Sequence, residues 1–137
     1  MNETRTEHDS FGAIEVPADA LWGAQTARSL RYFAIGEQQR MPPQVIHAPA
    51  WVKWAAAGVN QDLGRLDAVK AQAIAAAALR VAVGEHDEQF PLSVWQTGSG
   101  TQSHMNVNEV IARLASQAVP DAVHPNDDVN LGQSTRE

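Results

Sequence analysis

Apolar side chains recur at helical spacing in three stretches of the chain. From about Pro43 to Leu63, the residues Val52, Ala56, Val59 and Leu63 fall on one stripe, which predicts a helix over 43–63. Pro49 lies inside that run, so the helix is expected to start or kink there, and Gly64 is a natural stop. A second helix is predicted over 67–83, with Asp67 as N-cap and Val69, Ala73, Ala76, Leu79 (or Arg80) and Val83 as its stripe. The alanines of "AQAIAAAALR" favour helix and permit close helix–helix approach. A third helix is predicted over 103–119, with Val107, Val110, Ile111, Leu114 and Ala118 on one face. Residues 1–40 lack such a period and read as irregular: turns, a short extended piece before Pro17, and one helical turn. "GEHDEQFPLSVW" reads as a connector and 120–137 as a loop. There is no internal repeat and no low-complexity linker, and the class is mainly α.

Composition narrows the function. A chain of 137 residues is one domain's worth, enough to bury roughly two-thirds of its unfolded surface. Its hydrophobic fraction of 44% is that of a globular protein. Without cysteine there is no disulfide, thiolate metal site or thiol nucleophile. "MNETRTEHDS" does not resemble a signal peptide, and "AIAAAAL" is too short to span a bilayer, so a soluble cytoplasmic protein with no membrane partner is expected. The net charge of −6 and the scattered basic residues argue against nucleic acid. An anionic ligand would have to be drawn by local dipoles and hydroxyl donors.

Such donors are concentrated in "WQTGSGTQSHMNVNE", Trp95 to Glu109. A glycine-rich turn leads through Ser99, Thr101 and Ser103 into a helix whose first turn carries unpaired N–H groups and partial positive charge. Gly98 and Gly100 let the backbone approach a ligand and adopt positive φ. This combination suits a carboxylate or phosphate, although a plain cap and turn would use the same residues. Named phosphate and nucleophile templates do not fit. Ser103 stands where a dinucleotide fingerprint needs its third glycine, no Gly-Lys-Ser/Thr is present, and Thr97 spoils a nucleophile elbow around Ser99. Asn106, Asn108 and Glu109 either serve a ligand or satisfy buried backbone at a helix contact. A second polar cluster, "VHPNDDVNLGQST", holds His124-Pro125-Asn126-Asp127, which reads as an anion or proton site or as a capped turn. The five histidines lie far apart and predict no metal site.

Three motifs then resemble one family. "DSFGAIEVPADALWGAQTARS" (Asp9 to Ser29), "VWQTGSGTQSHMNVNEVIA" (Val94 to Ala112) and "VHPNDDVNLGQS" (Val123 to Ser134) are similar to class II fumarases, of the fumarase/aspartase superfamily. Their order and coverage imply the N-terminal domain of that fold, with short extended pieces near its start and without the central helical bundle. The resemblance implies that Ser99, Gly100 and Thr101 bind a substrate carboxylate. It also implies that Ser134 and Thr135 touch substrate, and that His124, Pro125, Asn126 and Asp127 form a second dicarboxylate site. The implied reaction is reversible hydration of fumarate to (S)-malate in the tricarboxylic acid cycle, with no cofactor and no metal, in homotetramers whose active sites are shared between subunits.

The departures from the family pattern carry their own expectations. Arg136 stands where the family has a substrate-contacting Asn. "LASQAVPDA" is a short connector with acidic Asp121 where a basic residue is usual, and Pro49 interrupts a helix that the family keeps continuous. Family members are much longer. The general-base His, the mobile Gly-Ser-Ser loop and the tetramer-forming helices are expected to lie beyond this chain, so no catalytic residue is assigned in it. The leading expectation is a truncated or frameshifted N-terminal piece, inactive alone. The alternatives are a non-catalytic dicarboxylate-binding or assembly module, one part of a split enzyme, and an aspartase-like ammonia lyase fragment.

Overall fold

The computed structural model describes residues 2–36 and 38–134. The chain begins with an antiparallel hairpin of β1 (Thr4–Asp9) and β2 (Gly12–Pro17), paired from Thr4↔Pro17 to Asp9↔Gly12. Its turn is set by the Asp9 carboxylate, which accepts the Phe11 N–H at 2.9 Å. Helix α1 (Ala24–Tyr32) follows. The extended piece expected before Pro17 is β2, while β1 and the nine-residue α1 correct the irregular reading of the rest of residues 1–40. β1 alternates charged with polar residues, and α1 buries only Ala24, Thr26, Ala27 and Ser29, so neither of these shows an apolar period.

Helix α2 spans Pro43–Asp62 and α3 spans Ala68–Ala82. Pro49 does not start α2. The helix begins six residues earlier with Pro43 in its first turn, where the missing N–H has no intrahelical acceptor, and it runs on through Pro49. Asp67 caps α3, its Oδ1 accepting the Val69 and Lys70 N–H groups at 2.8 and 3.2 Å. Gly64, at φ 70°, closes the turn between the two helices.

The faces these two helices bury are not the expected ones. In α2 the core takes Ile46, Ala50, Lys53, Ala57 and Asn60, whereas Val52, Val59 and Leu63 are exposed. In α3 it takes Ala71, Ile74, Ala77, Ala78, Val81 and Ala82, whereas Val69, Leu79 and Val83 are exposed. Both helices are apolar around most of their circumference, so period alone does not orient them. In α3 the buried face is rich in alanine, which lets the helices approach closely, and it meets α2 at a face that mixes Ala50 and Ala57 with Ile46, Lys53 and Asn60.

Helix α4 (Thr101–Ala118) runs through the middle, buried on every side from Ser103 to Ala112, with Val107, Val110, Ile111 and Leu114 in the core. A 3₁₀ turn at Asp87–Gln89 lies in the expected connector, and a single π-helical turn occupies Pro125–Val129. Among the described residues, no helix is long and apolar enough to cross a membrane.

Candidate functional site: the N-terminus of the central helix

Gly100 is the N-cap of α4 and adopts φ 74°, ψ 6°, the left-handed region that suits glycine. Having no side chain, it caps nothing. The job passes to Gln96, whose Oε1 accepts both the N–H and the hydroxyl of Ser103, at 3.1 and 3.0 Å. Its Nε2 donates to the Ser93 carbonyl at 2.9 Å. The third N–H of the helix is thereby satisfied, and those of Thr101 and Gln102 are left without an acceptor among the described residues.

Beside them lies a short relay of hydroxyls. Thr97 Oγ1 is 3.0 Å from Ser99 Oγ, which is 3.0 Å from Thr101 Oγ1, and the Thr97 hydroxyl donates to Gln102 Oε1 at 2.5 Å. The space beside Gly98 and Gly100 is open, since a Cβ built on either would meet nothing within 4 Å. This end of α4 thus presents hydroxyl donors, unpaired N–H groups and the positive pole of a helix dipole to an open surface. The side chains in the relay are hydroxyls and amides, and none is suited to remove a proton from carbon.

Asn106, Asn108 and Glu109 are buried. Asn106 Nδ2 donates to the Gln89 carbonyl at 3.1 Å. Glu109 reaches across to α1 and acts as its cap from more than eighty residues away. It accepts the Gln25 N–H at 3.0 Å, the Thr26 N–H at 2.9 Å and the Thr26 hydroxyl at 2.6 Å. Burial pushes the Glu109 carboxyl above its ordinary range, opposed by the hydrogen bonds from Thr26, Gln25 and Gly23. For Asn106 and Glu109 the geometry shows contact between elements, whereas Asn108 donates only to Met105 Sδ within α4 at 3.7 Å, and the Oδ1 atoms of Asn106 and Asn108 are buried without a partner among the described residues.

His124 caps the π turn. Its Nδ1 accepts the N–H groups of Asn126 and Asp127, both at 3.1 Å, so that nitrogen carries no proton. Its 3.6 Å approach to Asp127 is accordingly no ion pair in this state. His124 and Pro125 line an open groove with Glu7, Arg113 and Ser116. Because Ala112 and Arg113 also line it, this groove lies about 16 Å along α4 from Thr101 at 1.5 Å per residue. The two polar motifs therefore sit toward opposite ends of one helix. Ser134 follows the turn after the π helix and is exposed; Thr135 lies outside the described residues.

Residues 12–137 match the sequence model of the lyase family. The chain belongs to this family. It is 57% identical over 141 residues to a class II fumarate hydratase of Thermosynechococcus vestitus, covering 98% of this chain and 30% of that protein. It is 60% identical over 139 residues to one from Prochlorococcus marinus, covering 97% and 30%. Among solved structures, the class II fumarase of Schistosoma mansoni superposes with a TM-score of 0.91 at 45% identity, over 97% of this chain and 29% of that one. A fumarate lyase:delta crystallin structure from Brucella melitensis gives 0.90 at 41% identity, over 97% and 33%. The chain thus spans about 30% of the length of these relatives, over their N-terminal part.

Gln96 and Glu109 are the working residues whose roles sequence reasoning did not assign. Both act across long sequence separations or from outside the helix they cap, so no capping pattern marks them.

Proposed function

We propose that this chain forms the carboxylate-binding wall of a class II fumarate hydratase site. Ser99, Gly100 and Thr101 hold one carboxylate of fumarate or malate at the N-terminus of α4, and Ser134 and Thr135 reach the same substrate. His124, Pro125, Asn126 and Asp127 serve a second dicarboxylate site. The observation that carries the reading is the left-handed Gly100, which opens the first-turn N–H groups of α4 beside the Ser99 and Thr101 hydroxyls. The likeness to fumarate hydratases supports it.

The chemistry asks for such a wall. Removing the proton beside a carboxylate of malate places a second negative charge on that carboxylate, and preorganised donors lower the cost of forming it. A helix N-terminus with two hydroxyls supplies donors without supplying a base. The complete reaction in this reading is reversible hydration of fumarate, carried out without a cofactor in soluble cytoplasmic homotetramers with shared sites. These 137 residues alone bind dicarboxylate and do not turn it over.

Two assays test this. Calorimetric titration with fumarate is expected to show stoichiometric binding that the paired change Ser99→Ala and Thr101→Ala abolishes. Ultraviolet absorbance of the fumarate double bond is expected to stay constant with the chain alone. Binding that survives the double change, or a steady loss of absorbance, would overturn the reading.

A further inference from the structure

Lys53 sits on the core face of α2 and is only 1% exposed, and its stem leads to an ammonium inside the protein. Burying a charge is costly unless hydrogen bonds replace its water, and an apolar side chain of equal length would fill the same space without that cost. Two of its bonds are directed at one place. Nζ donates to Asn130 Oδ1 at 2.7 Å and to Gln133 Oε1 at 2.8 Å.

Those two contacts decide the rest of the turn. An ammonium only donates, so each carboxamide must turn its oxygen toward Lys53 and its NH₂ away. The Gln133 Nε2 then donates to the Val129 and Leu131 carbonyls, both at 3.2 Å, and the Asn130 Nδ2 to the Gln133 carbonyl at 3.3 Å. Asn60, about two turns further along the same face of α2, adds a bond from Nδ2 to the Leu131 carbonyl at 3.0 Å. The segment Val129–Gln133 is thereby tied to α2 through a network whose orientation starts at one buried cation. The next residue is Ser134.

We propose that Lys53 is a positioning residue for the dicarboxylate site. It locks the Asn130–Gln133 turn so that Ser134 is presented to substrate, and it acts through these amides without touching the ligand. The inference rests on the dicarboxylate reading above.

The test uses the 137-residue chain with two substitutions. Lys53→Met keeps length and packing but removes the donor. Gln133→Ala cuts the same link from the partly exposed side, and so remains informative if the core change impairs folding. Amide resonances report two things. Without ligand, exchange of the Leu131–Gln133 amides is expected to quicken by about tenfold in either variant, with α4 unchanged. With fumarate, the parent chain is expected to shift both the Thr101 and Ser134 resonances. The variants should shift Thr101 alone and bind about tenfold more weakly, the order that one hydrogen bond contributes. Parent-like affinity and Ser134 shifts in both variants would overturn the positioning role alone. A parent chain in which fumarate moves no resonance overturns the dicarboxylate reading and the role with it, so the two failures are told apart.

Discussion

Gly23 shows how tightly single residues are specified around the central helix. A Cβ there would stand 2.5 Å from Glu109 Oε2, so the carboxylate that caps α1 occupies the room a side chain would need. Gly23→Ala is expected to destabilise the chain by about 2 kcal/mol in urea unfolding, whereas Gly98→Ala, facing open space, should change little. Two carboxyls pull stability in opposite directions with pH. Glu109 is raised by burial, so the folded state keeps its proton longer than the unfolded chain, and its contribution falls as pH rises from 4.5 through the folded pKa. Asp9 is lowered, chiefly by its hydrogen bonds from Arg28 at 2.8 and 2.9 Å, so its contribution is full above 3.8 and is lost as pH falls through the folded pKa. Asp9→Asn should therefore flatten the acid limb of a stability–pH curve and leave the limb above pH 4.5 in place. An unchanged acid limb would remove Asp9 from that account.

Among the elements, α4 was the most legible and α2 the most misleading. The α4 stripe of Val107, Val110, Ile111 and Leu114 is its core face because polar residues occupy much of the remainder. In α2, valines and tryptophans surround the helix, so the period picked out Val52, Val59 and Leu63, while the core took Ile46, Ala50 and Ala57 together with the polar Lys53 and Asn60. β1 and α1 escaped because charge alternation and small polar residues carry no hydrophobic signal, whereas β2 was expected as the extended piece before Pro17. The glycine turn before α4 was legible as a turn into a helix, but its clamp was not. Gln96 stands four residues before the N-cap, where no capping rule looks. Replacing Gln96 by Ala should cost about 1 kcal/mol and expose the Ser103 amide to faster hydrogen exchange. Protection at Ser103 equal to the parent would show that water replaces the clamp at no loss.

At the scale of the whole molecule, the surface of α2 stands out. Between Gln44 and Gln61 the only Lys, Arg, Asp or Glu is the buried Lys53, while Trp51, Val52, Trp54 and Val59 are exposed. A continuous face of this kind on an isolated chain favours association. Changing Trp51 and Trp54 together to Glu is expected to move sedimentation toward a single slow species with helix content unchanged. An unchanged concentration dependence would place the sticky surface elsewhere. The candidate site divides along the same lines as the fold. Its motifs were visible as polar, glycine-rich turns, but their distribution toward opposite ends of α4 depends on tertiary packing. The most direct test of the central claim is a fumarate titration followed at the backbone amides. The account predicts saturable shifts centred on Gly100, Thr101 and Gln102, weakened by Gly100→Ala, whose left-handed backbone costs about 1 kcal/mol to populate. Saturable binding that leaves these three amides unmoved would contradict it.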